Sequence, residues 1–195
     1  MQDPGRVGRF VDELNRWMTP PEEGQRVLHD QYRELIASGG NSLSRERTRG
    51  HFTASALLVD PERAQVLLLM HPRVKRWLQM GGHIETLDPS FREAAARECR
   101  EESGYSAIDV FPFPARLDRH DAPCRSPGGD VVSSVHWDVQ FLAFVDSREQ
   151  RVITEGAATK WWRVDEPIAG LDHSVELLIE TARQVLGRGP DHLQP

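Results

Sequence analysis

The sequence predicts an α/β fold, a sheet packed by helices, preceded by a helical extension. Three observations point to it. Val7, Phe10, Val11, Leu14 and Trp17 recur at three- and four-residue intervals, the spacing of one helix face. From Gly50 the pattern turns to apolar runs of strand character, His51 to Val59 and Ala64 to Met70. Phe91 to Ser103 returns to a helical stripe with its own start and stop signals.

Taken in order, the elements follow from local chemistry. Thr19-Pro20-Pro21-Glu22-Glu23 combines an N-cap residue, prolines suited to a first turn and carboxylates that complement the helix dipole, so a second helix runs to about Ser38. Gly39-Gly40-Asn41 stops it, and Ser42 to Gly50 is a polar, basic linker. Asp60-Pro61-Glu62-Arg63 joins the first two strands as a hairpin loop, and Trp77 to Ile84 is a short strand entering Gly81-Gly82. Ser90-Phe91-Arg92-Glu93 is a capping box that opens the next helix, and Gly104 closes it. Val135 to Val145 and Thr159 to Val164 are further strands, and Ser174 to Leu186 is a last helix ended by Gly187. The expected organisation is a helical extension over 1–45, an α/β domain over 46–187 and a frayed tail over 188–195, with no internal repeat.

Composition narrows the function. Among 195 residues, 24 Lys and Arg face 30 Asp and Glu, a net charge of −6 that argues against a stable nucleic-acid partner. A hydrophobic share of 38% with 28% charged residues excludes collagen-like and wholly disordered classes. No apolar run has the roughly 20 residues of a membrane span, and Met1 to Arg9 lacks the basic-then-apolar order of a signal peptide, so a cytoplasmic protein is expected. Cys99 and Cys124 read as reduced thiols.

The chemistry concentrates on the central helix. At about 100° per residue, Ala94 and Ala95 share a face with Phe91, and Glu98, Glu101 and Glu102 continue it within an arc of about 100°. Carboxylates so close repel one another unless a cation lies between them, and hard ions such as Mg²⁺ or Mn²⁺ take oxygen ligands together with water and substrate phosphates. The rival reading is a solvated charged face shared with Arg92, Glu93, Arg97 and Arg100. Gly81-Gly82, just upstream, permits close backbone approach and positive φ, which would let a carbonyl or amide reach a metal or phosphate.

Gly82 to Asp88 followed by Arg97-Glu98-Cys99-Arg100-Glu101-Glu102-Ser103-Gly104-Tyr105 resembles the Nudix box, G-x5-E-x7-R-E-U-x-E-E-x-G-U, with U bulky and apolar. The likeness extends over about 50–170, including Lys160-Trp161-Trp162 to Glu166. It implies a Nudix hydrolase domain, an α/β/α sandwich around a mixed sheet. It also implies a divalent-metal hydrolase that cleaves a pyrophosphate in a nucleoside diphosphate linked to another moiety. By the same resemblance Gly82, Glu98, Glu101 and Glu102 hold the metal. Glu98, Glu101 and Arg97 serve catalysis, and Glu155 stands where the family sometimes keeps a base outside the box. The sequence departs from the pattern in four places. Asp88 replaces the box's first Glu, eight residues rather than seven separate it from Arg97, Met80 replaces a common Pro, and Cys99 fills the apolar position.

Arg73, Lys75 and Arg76 precede the glycines and suit phosphates, although an ordinary basic turn would look the same. Trp77 could stack on a base or belong to the core. His136, Asp138 and Gln140 alternate with Trp137, Val139, Phe141, Ala143 and Val145, so they line either a substrate cleft or a solvent face. His120 and Cys124 lack a second pair at ligand spacing, and no zinc site is expected from them. The N-terminal helices suit a homodimer interface, a lid or packing on the sheet edge. The expected partner is a small-molecule nucleotide or other organic pyrophosphate, with no membrane. Two rivals remain beside hydrolysis: a non-catalytic nucleotide-derivative sensor on the same fold, and an isoprenoid diphosphate isomerase using a cysteine and a glutamate.

Overall fold

A computed structural model describes residues 4–17, 22–38, 41–47, 49–125, 129–152 and 157–188. Two helices, α1 (Pro4–Arg16) and α2 (Glu23–Ala37), precede strands β1 (His51–Asp60), β2 (Gln65–Met70), β3 (Trp77–Leu78) and β4 (Met80–His83). Then come α3 (Phe91–Ser103), β5 (Asp109–Val110), β6 (Arg116–Arg125), β7 (Val131–Phe144), β8 (Thr159–Arg163) and α4 (His173–Arg188). The strands form one mixed sheet in which β1 runs parallel to β7 and antiparallel to β2 and β4. β6 pairs with β7, and β8 with β2, both antiparallel.

Period-two alternation splits the apolar side chains between two cores. Phe52, Ala54, Ala56 and Leu58 of β1 join Val139, Phe141 and Ala143 of β7 beneath α3, α1 and α2. Leu57, Val59, Val66, Leu68 and Leu142 pack on the other side against Val175, Leu178, Ile179 and Ala182 of α4. On the leading half of β1 and β7 that second face turns polar, with His51, Thr53 and Ser55 across from His136, Asp138 and Gln140. A sandwich closed at one end and open at the other is the result.

The structure extends the sequence reading at β6. Its residues, Arg116 to Arg125, are half Arg and Asp and include Pro123, so they show no hydrophobic alternation and read as a loop. Pairing of all ten residues with β7, from Arg116 opposite Gln140 to Arg125 opposite Val131, makes them a strand and starts β7 at Val131 rather than Val135. Pro123 is tolerated because, among the described residues, β6 pairs with β7 alone. α2 helps cover that edge: Gln25 Nε2 donates to the Leu117 carbonyl at 2.9 Å, and the Leu117 amide donates to Gln25 Oε1 at 2.8 Å.

The N-terminal helices are thus packed onto the sheet. Phe10 meets Phe91 edge-on at 4.7 Å between ring centres. Glu13 of α1 caps α3, accepting from the Phe91 and Arg92 amides at 2.6 and 2.9 Å. Burial outweighs those donations and pushes the Glu13 carboxyl up from 4.5 to about 7. The folded protein therefore keeps this proton over a range where the unfolded chain has released it. The resulting stability is full below about pH 4.5 and declines as pH rises towards 7. Thermal melts across that range are expected to slope downward for the parent and less so for Glu13→Gln. Among the described residues, no helix is long and apolar enough to cross a membrane.

Candidate active site

The candidate site is built where α3 leaves the core and meets β4. Ser90 caps α3 by accepting from the Glu93 amide at 3.1 Å, and Gly104 ends it at φ 77°. Phe91, Ala94, Ala95 and Cys99 anchor the buried stripe. One turn further on, the same stripe brings Glu98 and Glu102 to the glycine pair. The Gly81 amide donates to Glu102 Oε2 at 3.0 Å.

Neither glycine has positive φ, contrary to one expectation for the pair. Close approach is the reason for both. A Cβ on Gly81 would lie 2.3 Å from Ser55 Cβ, and one on Gly82 would lie 2.6 Å from Glu98 Oε1. The space a side chain would fill at Gly82 is therefore kept beside a carboxylate. Burial raises the Glu98 carboxyl, and burial together with the charges of Glu98 and Glu101 pushes Glu102 up to about 7. Glu101 sits at the rim with its side chain 58% exposed. Two half-buried acids and a third at the mouth make a negative pocket that favours a positive occupant.

Arg97 organises the loop over this pocket. Its Nε and one terminal nitrogen (Nη2) reach Asp88 at 3.1 and 3.0 Å, Nη2 also reaches the His83 carbonyl at 2.9 Å, and Nη1 reaches Glu98 Oε1 at 2.9 Å. The acid–arginine pair thus forms despite the shorter side chain and the extra residue. Asp88 also accepts from the Glu85 amide at 2.7 Å, which folds the loop back on itself.

Of the remaining predicted residues, Arg73, His136 and Asp138 line the cleft, together with Glu98, Glu101 and Glu102. Asp138 is 4% exposed and already accepts from Thr53 Oγ1 and Ser55 Oγ at 2.9 and 2.6 Å, so it is committed to holding β1 and β7 together. Trp77 packs edge-on to Trp162 at 5.7 Å, in the core beneath α4. Lys75 is exposed, at φ 54° in the turn, and is not among the residues lining the cleft. Glu155 lies outside the described residues.

Sequence reasoning missed His51 and His83. The sheet register sets His51 beside His136, and β4 carries His83 to the same place. The structure also places Cys124 among residues that lie far from it in the chain. Its Sγ lies 3.1 Å from His136 Nε2, so the thiol gathers with histidines of other strands rather than with His120. Only the pairing of β1, β4, β6 and β7 reveals this, because the four residues are scattered along the chain.

A family model of the NUDIX domain matches residues 50–180. The chain belongs to the Nudix family. Its chemistry is that of a pyrophosphohydrolase. The fold is similar to that of a NUDIX-family hydrolase from Clostridium perfringens, with a TM-score of 0.55 and 22% identity over 73% of this chain and 99% of that one. It is likewise similar to the dihydroneopterin triphosphate pyrophosphohydrolase of E. coli, with a TM-score of 0.50 and 19% identity over 66% of this chain and 92% of that one. No match to a curated protein was found. In this Nudix chain Cys99 is wholly buried, donates to the Ala56 carbonyl, and has its thiol pushed up by burial. With no exposed surface, Cys99 is not placed to act on a substrate.

Proposed function

We propose that the cleft hydrolyses a pyrophosphate linkage in a nucleoside diphosphate linked to a second moiety, or in a similar organic pyrophosphate, with Mg²⁺ or Mn²⁺. The observation that carries this reading is the pair of half-buried carboxylates, Glu98 and Glu102, against a glycine whose missing side chain keeps the space beside Glu98 open. Oxygen donors of this kind fit a hard divalent ion, with Glu98, Glu102, Glu101 and the Gly82 carbonyl as its holders. When bound, such an ion neutralises phosphate charge and lowers the pKa of a coordinated water.

The chain's own residues supply the rest. Arg97 fixes Glu98 and the box loop in place. Arg73, on the cleft wall, presents a cation to the phosphates. Glu101, solvent-facing at the mouth, takes the proton from the attacking water. The water oxygen bonds to one phosphorus as the bridging P–O bond breaks in line, and the other phosphate leaves with its moiety, without a covalent enzyme intermediate.

The test supplies the purified protein with Mg²⁺ or Mn²⁺ and a panel of nucleotide sugars, dinucleoside polyphosphates and oxidised nucleoside triphosphates. Metal-dependent release of paired phosphate products from at least one of them is expected. Tight binding of a panel member without turnover would instead identify a sensor.

A further inference from the structure

The geometry points to a zinc site, separate from the box carboxylates, formed by His51, His83, Cys124 and His136. One ligand atom from each of the four lies within 4.8 Å of all the others. A zinc tetrahedron with Zn–N near 2.0–2.1 Å and Zn–S near 2.3 Å holds its ligand atoms about 3.3–3.6 Å apart. Small side-chain adjustments close that difference. The ring centres of the three histidines are already 4.9 to 5.3 Å apart.

His51 shows the site to be built for a ligand. It is 0% exposed, and its Nε2 is buried with no hydrogen-bond partner. A buried imidazole nitrogen left without a partner costs free energy unless something fills its lone pair. Its other nitrogen, Nδ1, lies 3.1 Å from the Arg47 carbonyl and 3.4 Å from Ser134 Oγ. A proton on Nδ1, donated to that carbonyl, leaves Nε2 as a free acceptor, the outer arrangement that orients metal-bound histidines.

The donor set selects the ion. Three imidazoles and a thiolate suit zinc and disfavour Mg²⁺, which takes oxygen. Four protein ligands leave no open coordination position, so the site is structural and not hydrolytic. Its ligands come from β1, β4, β6 and β7, and His83 directly follows the glycine pair. Zinc there would staple the polar end of the sheet, where apolar packing is missing, and fix the strand that delivers Gly82. The site does not depend on the hydrolytic reading of the carboxylates.

The experiment measures metal content by mass spectrometry on the full chain after dialysis against excess Mg²⁺, then replaces the metal with Co²⁺. About one zinc per chain is expected, with tetrahedral cobalt bands in the visible and a thiolate-to-metal charge-transfer band in the near ultraviolet. Cys124→Ser should abolish the charge-transfer band and weaken zinc binding at least about tenfold, while circular dichroism confirms its fold. His136→Asn, checked in the same way, should weaken binding likewise. Glu102→Gln should keep zinc. The inference is overturned if the folded parent neither retains zinc nor gives a tetrahedral cobalt spectrum. It is equally overturned if Cys124→Ser binds as the parent does, or if Glu102→Gln loses the metal.

Discussion

Glu102→Gln is expected to lower kcat/KM by about a thousandfold while leaving the protein folded. Removing a carboxylate that helps hold the ion sacrifices several kcal/mol of transition-state stabilisation, and about 4 kcal/mol corresponds to that factor. The fold should not suffer, because the amide oxygen of Gln can still accept from the Gly81 amide, as Glu102 does at 3.0 Å. Burial and the neighbouring glutamates already press the Glu102 carboxyl up to about 7, so removing its charge relieves repulsion. A melting temperature equal to or above the parent's, together with lost turnover on a confirmed substrate, is the expected pair of results. Full activity in this variant would overturn the role given to Glu102. Lost activity with a collapsed melting temperature would instead reassign Glu102 to the fold.

Asp88→Asn should cost about 2–3 kcal/mol of stability, read from the shift in urea midpoint at constant slope. Asp88 is 6% exposed and receives two Arg97 nitrogens and the Glu85 amide. Breaking a buried ion pair leaves a charge without compensation, a loss of about 3–5 kcal/mol where the pair is fully enclosed. Arg97 is 21% exposed and keeps Glu98, which places the expected loss below that range. Because Arg97 also holds the His83 carbonyl at 2.9 Å, the substitution should loosen the end of β4 that carries Gly82 and lower activity too. A midpoint within error of the parent's would show that the pair contributes nothing to stability.

Elements whose signals are local can be read from the residues alone. The Ser90 cap, the Gly104 stop and the apolar stripe from Phe91 to Cys99 specify α3, and with it the place of Glu98 and Glu102 on one helical face. Motif spacing was enough for the family. Its extra residue left the Asp88–Arg97 pair undecided, since one inserted residue alters reach by an amount only the folded loop reveals. β6 was illegible because a charged strand on a sheet edge owes its form to its partner rather than to its own alternation. The gathering of His51, His83, Cys124 and His136 was hidden for the same reason. Which residues face one another across four strands depends on register, and register is settled by burial of the whole sheet. Local chemistry thus fixed the helix that carries the acids, and long-range pairing alone decided what stands opposite them.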